Sequence, residues 1–115
     1  MIASLEGVVT EVREQSLLLQ AGPVGVEVFA PASTLAKAAP RSTLRLHTHL
    51  VVKEDLLALY GFHDPDGLLL FRHLITVSRV GPKLALAILS TLPGAVLARA
   101  ISDGDAALLA SSPGV

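Results

Sequence analysis

The residues best suited to chemistry lie between Leu74 and Leu89, LITVSRVGPKLALAIL. An apolar helical run ends at Val77. The break Ser78-Arg79-Val80-Gly81 follows, and Pro82-Lys83 then opens a second apolar run, Leu84 to Leu89. Proline suits the first turn of a helix, because the N–H it lacks has no intrahelical partner there. Glycine just before it lets the backbone turn sharply and come close to a ligand. The free N–H groups at the mouth of the second helix stand at the positive end of its dipole, a ready site for a phosphate. Lys83 adds a full charge beside them. This pattern predicts a helix-hairpin-helix, a backbone clamp for one nucleic-acid phosphate that ignores base sequence. Two packed helices joined by a Gly-Pro turn are also common as plain core, so the spacing alone leaves both readings open.

Other residue types that chemistry uses are fewer. His47 and His49 share a strand face and offer two imidazoles to a metal. No carboxylate or third ligand stands near them in sequence, which favours two half-exposed strand histidines. Glu54-Asp55 is an acid pair of the kind a metal-dependent nuclease uses, against the plainer reading of a solvated hairpin tip. Arg41 and Arg45 read as ordinary surface charge. No catalytic residue, metal site or cofactor is assigned, and no GxxxxGK[ST] stretch for ATP is present.

Composition narrows the elements that position these groups. Of 115 residues 51% are apolar but only 3% aromatic, so the core must be built from Leu, Val, Ala and Ile. The absence of cysteine excludes a disulfide framework, a thiolate metal site and a cysteine nucleophile, and it fits a reducing compartment. The start, Met1 to Glu6, has no basic region and is not a signal peptide. The longest uncharged run, Leu84 to Ala98, is too short to span a bilayer and is broken by Pro93-Gly94. A soluble cytoplasmic protein without a membrane partner is expected. Net charge is −1, whereas a nucleic-acid binder is usually basic. Attraction must therefore be local, and Lys53, Arg79 and Lys83 are the cations placed to supply it.

Residues 1–62 read as β. Strands are expected over Ile2–Val12, with a bend or bulge at Gly7, and over Ser16–Gln20, Val24–Phe29, Leu44–Val52 and Leu56–Phe62. Gly22-Pro23-Val24-Gly25 is turn chemistry. Residues 31–40 tolerate a helix, with Ser33 or Thr34 as its cap. In the fourth strand Leu44, Leu46, Thr48, Leu50 and Val52 fall on one side, and Arg45, His47, His49 and Val51 on the other. Five short strands with one helical insert suit a small closed barrel of the OB type. Such a barrel binds single strands by stacking bases on aromatics. Only Phe29, Tyr60 and Phe62 are on offer here, the last two in an apolar strand expected to be buried. The barrel is read as structural or assembly machinery.

Residues 63–115 read as helical. Asp64-Pro65-Asp66 supplies a cap, a first-turn proline and a first-turn acid, and Leu68, Phe71, Leu74 and Ile75 recur at helical spacing. The hairpin's second helix should end near Leu92. Further helices are expected over Ala95–Ile101, with Arg99 near its end, and Ala106–Ala110. Leu108 to Val115 looks like the first half of a second hairpin, with Gly114 in its loop, which suggests a fragment of a longer protein.

Four segments carry a resemblance over the full 115 residues: Met1-Ile2 with Gly7; Gly22-Pro23-Val24-Gly25-Val26-Glu27-Val28; His49 to Asp55 followed by Leu59-Tyr60-Gly61-Phe62; and Val80 to Leu89. By these the chain resembles the N-terminal part of the RuvA family, the Holliday-junction-binding subunits of the bacterial branch-migration complex. The resemblance implies an OB barrel over 1–62 for tetramerisation, then an all-α helix-hairpin-helix domain over 63–115 with its second hairpin incomplete. It implies a non-catalytic subunit that forms a homotetramer, two of which can enclose one four-way junction. It implies as partners the RuvB motor, which hydrolyses ATP, and the RuvC resolvase. DNA contacts are then expected from Arg79, Val80, Gly81, Lys83, Lys53 and Gly114, with Glu54 and Asp55 as an acidic pin at the tetramer centre. One departure stands out: where the family often carries glycine two residues before Gly81, this chain has Arg79. If that position needs positive φ, Arg79 is strained or the loop differs. The alternative from another class is a fragment of an OB and helix-hairpin-helix repair enzyme, such as a ligase or nuclease. It would need a nucleophilic lysine motif or an acidic metal cluster, and neither appears.

Overall fold

The computed structural model describes residues 1–77 and 79–91. Ser78, the helices expected over Ala95–Ile101 and Ala106–Ala110, Arg99, and the partial second hairpin with Gly114 lie outside the described residues. Two compact units divide between Pro65 and Asp66.

The first unit is a barrel of β1 (Ser4–Val12), β2 (Ser16–Ala21), β3 (Val24–Phe29), β4 (Thr43–Lys53) and β5 (Leu56–Phe62), with the short helix α1 (Ala32–Leu35) between β3 and β4. The strands close in the order β1-β2-β3-β5-β4, and β4 pairs back onto β1. All pairings are antiparallel except β3 with β5. This is an OB-like barrel, and its closure removes the sheet edges that an open sheet would leave unpaired.

The core follows from period-two alternation. Val9, Leu17, Leu19, Val28, Leu46 and Leu59 form one aliphatic cluster, and Leu35 and Ala38, on and after α1, pack against it. Two polar groups inside are satisfied: the Thr48 hydroxyl donates to the Ile2 carbonyl at 2.7 Å, and Ser16 Oγ donates to Glu27 at 2.8 Å. Tyr60 and Phe62 are buried as expected, and the Phe29 and Tyr60 rings lie 5.7 Å apart. Burial pushes the Tyr60 phenol up from its ordinary value.

Two local expectations change. The bulge falls between Val9 and Glu11, not at Gly7. Gly7 has a different reason: a Cβ there would stand 2.3 Å from the Gln20 carbonyl oxygen, in backbone that cannot swing away. Neither Ser33 nor Thr34 caps α1; Pro31 occupies that place without a side-chain bond, and Thr34 is buried instead.

β4 is shared between two partners in succession. Its residues 43–47 pair with β1, and residues 47–53 pair with β5. β3 joins β5 only at Leu59 and Tyr60. Beyond those points β4 and β5 run on as a two-stranded ribbon, closed by Glu54-Asp55.

In the second unit, α2 (entered at Pro65, running to Ile75) and α3 (Pro82–Thr91) bury Leu70, Phe71 and Leu74, and Ala85, Leu86, Ile88 and Leu89. α2 carries Asp66 in its first turn and Arg72 and His73 in its last, the order its dipole favours. It stops at Ile75. Thr76 and Val77 then donate to the carbonyls three residues back, so the apolar run to Val77 finishes in a tighter turn. Among the described residues no helix is long and apolar enough to cross a membrane.

Gly7→Ala should lower stability by about 1–3 kcal/mol through the clash with backbone. Gly25→Ala, where a Cβ meets only the flexible end of Gln20 at 3.4 Å, should be near neutral. Urea midpoints of the two variants check the contrast.

Candidate functional site

At the mouth of α3 the sequence folds as its residues require. The Gly81 carbonyl accepts the Ala85 N–H at 2.9 Å and starts the helix, and Pro82 follows with no N–H to satisfy. The amides of Lys83 and Leu84 then belong to the first-turn set that has no intrahelical partner. No acid stands in this turn, so nothing of the helix's own neutralises its positive end. Gly81 is exposed, and a Cβ there would meet no atom within 4 Å. The backbone is therefore open to whatever approaches. Arg79 and Lys83 flank it, both exposed. Val80 between them is buried, so only its backbone is available to a ligand.

Arg79 has φ +72°. The left-handed region disfavours residues with a Cβ, and strain of this kind gathers at functional loops. The loop thus keeps the backbone form that glycine would adopt most readily, with a long cationic side chain mounted on it. Arg41 has the same φ in the loop before β4, which the residue pattern did not signal.

At the other candidate, the ribbon tip, Lys53, Glu54 and Asp55 are all exposed. None of Arg79, Lys83, Lys53, Glu54 and Asp55 takes part in an ion pair among the described residues. By contrast Arg13, on the barrel wall, bonds both Glu11 and Glu27. Among the described residues, then, the charges at the tip and at the helix mouth pair with no opposite charge, while Arg13, Glu11 and Glu27 on the wall pair with each other.

Sequence reasoning missed the apolar flank of the tip. Val52 faces Leu57 across the ribbon, on the face that Leu50 and Leu59 continue into the core. Yet Val52 is 67% exposed and Leu57 72%. The barrel stops short of them, so the inward face runs out into solvent. The signal was present: apolar alternation continues to within one residue of the charged turn. His47 and His49 stay half-buried on β4, and no three potential ligand side chains converge on a metal site among the described residues.

The mouth of α3 can hold an anion through amides and two cations, and the tip can repel one. Residues 1–61 match the family model described as RuvA N terminal domain, and residues 71–115 match one described as SAM-like Helix-hairpin-helix tandem. The chain is 50% identical over all its length to a Deinococcus radiodurans protein named Holliday junction branch migration complex subunit RuvA. It is 47% identical to the protein of that name from Thermus thermophilus and 46% to that from Chloroflexus aggregans. All of the chain is covered in each case, against 57%, 60% and 60% of the relatives.

Arg79→Gly should raise stability by about 0.5–1 kcal/mol, because relief of the left-handed strain outweighs the extra chain entropy of glycine. Chemical denaturation of the two chains side by side checks it; a loss of stability would mean that the Arg79 side chain holds the loop.

Proposed function

The chain belongs to the RuvA N-terminal-domain family, and from that premise we propose that it binds four-way junction DNA by structure, as a non-catalytic subunit of a branch-migration complex. The observation that carries this reading is the mouth of α3: exposed backbone at Gly81, no acid in the first turn, and Arg79 and Lys83 on either side. Each such mouth grips one phosphate and reads no base. Lys53 at the ribbon tip adds attraction, and Gly114 would serve a second hairpin in the same way.

Glu54 and Asp55 act as the acidic pin. Four protomers arranged around a junction bring their carboxylates near one point, where the strands of the arms also bring phosphates together. Like charge there keeps duplex from settling across the centre, so strands part and turn into the next arm. Weak net charge fits this task, with attraction in patches and repulsion in the middle.

The uncovered pair Val52 and Leu57 supports a homotetramer built through the barrels, since four-fold packing would cover apolar surface next to the pin. Two such tetramers enclose a junction. The ATPase that drives movement lies in a RuvB-type partner, and a RuvC-type resolvase acts on the same junction. The domain division follows from these roles: residues 1–62 assemble and carry the pin, and residues 63–115 hold DNA.

A gel shift against a four-way junction and a linear duplex of equal length tests the reading. Strong junction preference is expected; equal weak binding would make the chain an assembly module, and cleavage or sealing would make it an enzyme fragment. Arg79→Ala and Lys83→Ala should each weaken binding and flatten its salt dependence by about one unit of log–log slope per contact per protomer. Exchanging Glu54→Gln together with Asp55→Asn should tighten binding severalfold; looser binding would mean that the carboxylates hold structure. Leu57→Glu should reduce the mass in solution from a tetramer to a protomer while the circular dichroism of the barrel persists.

A further inference from the structure

The chain leaves the barrel through Phe62-His63-Asp64-Pro65, and this exit is tied back to a residue 29 positions earlier. Thr34, fully buried on α1, has its hydroxyl oxygen 2.8 Å from His63 Nδ1. The same oxygen accepts the His63 backbone N–H at 3.2 Å. Thr34 is itself well anchored. The Thr34 and Leu35 amides both donate to the Pro31 carbonyl at 3.0 Å, and Leu35 packs on the barrel core. On the other side, Pro65 opens α2, and the compact units divide immediately after it. The connector is thus only a few residues long, and its first residue is bonded through both backbone and side chain.

We propose that Thr34 and His63 form a latch that fixes the direction in which the connector leaves the barrel, the Thr34 hydroxyl donating to Nδ1 and so selecting the imidazole tautomer with its hydrogen on Nε2. The argument is one of hydrogen count. A hydroxyl has one hydrogen to give and two lone pairs to receive with. Oγ1 already receives the His63 N–H; a second N–H from the ring would leave the buried hydroxyl hydrogen with no acceptor among the described residues, whereas a bare Nδ1 at 2.8 Å takes it. Nε2 then carries the ring hydrogen, and it faces the Asp64 carboxylate at 3.6 Å. The ring is held from one side and biased from the other, so the next residue of the connector is oriented as well. Buried polar atoms keep such bonds because losing one partner strands the other away from water.

The latch stands apart from any DNA reading, and its test uses no DNA. Imidazole nitrogen shifts and amide hydrogen exchange are measured on the nitrogen-15-labelled chain, on Thr34→Val, which keeps the shape without the hydroxyl, and on Thr34→Ser, which keeps the hydroxyl. In the unsubstituted chain His63 should show a bare Nδ1 and a protonated Nε2. In Thr34→Val the His63 amide should exchange about tenfold faster and the tautomer preference should vanish, while Val9, Leu17 and Leu46 keep their protection. Thr34→Ser should restore both signatures. Hydrogen on Nδ1 in the unsubstituted chain, an unchanged His63 amide in Thr34→Val, or a Thr34→Ser that behaves like Thr34→Val would each overturn the latch. If Thr34→Val unfolds the barrel, the tautomer of the unsubstituted chain and the Thr34→Ser spectrum decide alone.

Discussion

The barrel unit depends on one strand outrunning the cylinder that closes around it. β4 gives its first residues to β1 and its last to β5, and only His47 belongs to both ladders. The first pairing closes the cylinder. The second carries the chain past the last point at which β3 can follow. Beyond that point β5 has β4 as its one neighbouring strand, and past the still-buried pair Val51 and Ala58 the ribbon leaves the core. The turn Glu54-Asp55 is therefore presented on a ribbon, clear of the barrel, and the apolar pair beside it is left in water by the same geometry. Exposure and reach at the tip are consequences of pairing register.

The helical unit relies on the opposite device, which is backbone left unpaired. A helix begins with amides that its own carbonyls cannot reach, and α3 begins where neither a side-chain acid nor a neighbouring Cβ covers them. The strained Arg79 backbone sits two residues away. Backbone that is unfavourable for a residue with a Cβ is tolerated there, in an exposed loop. Barrel and helices thus present different groups: the ribbon tip exposes Lys53, Glu54 and Asp55, and the mouth of α3 exposes backbone flanked by Arg79 and Lys83.

Much of this was legible in the residues. The strand at β2, the alternation of β3 and β4, the absence of aromatics from the aliphatic cluster, the Asp64-Pro65-Asp66 helix start and the Gly81-Pro82 opening of α3 all appear where the residues place them. What could not be read depends on partners distant in sequence. Gly7 looked like a bulge because a lone glycine in a strand often is one; its actual reason is the Gln20 carbonyl, visible only once β1 and β2 pair. Thr34 looked like a cap because threonine near a helix start often is one, yet its partner is His63. The exposure of Val52 and Leu57 was not read at all, because alternation cannot tell where a barrel ends. At the candidate site, residue types suggested the clamp and the family resemblance suggested the pin; the same resemblance raised a positive φ at Arg79 as a condition, and the folded loop has it.

The seam between β3 and β5 is the one parallel pairing, and it sets Phe29 directly opposite Tyr60. Tyr60 is also the only tyrosine in a chain without tryptophan. With excitation above the phenylalanine band, emission from this chain accordingly comes from a single buried ring at the joint where the cylinder shuts. An optical trace of refolding would report on the surroundings of that joint, a native probe that needs no label.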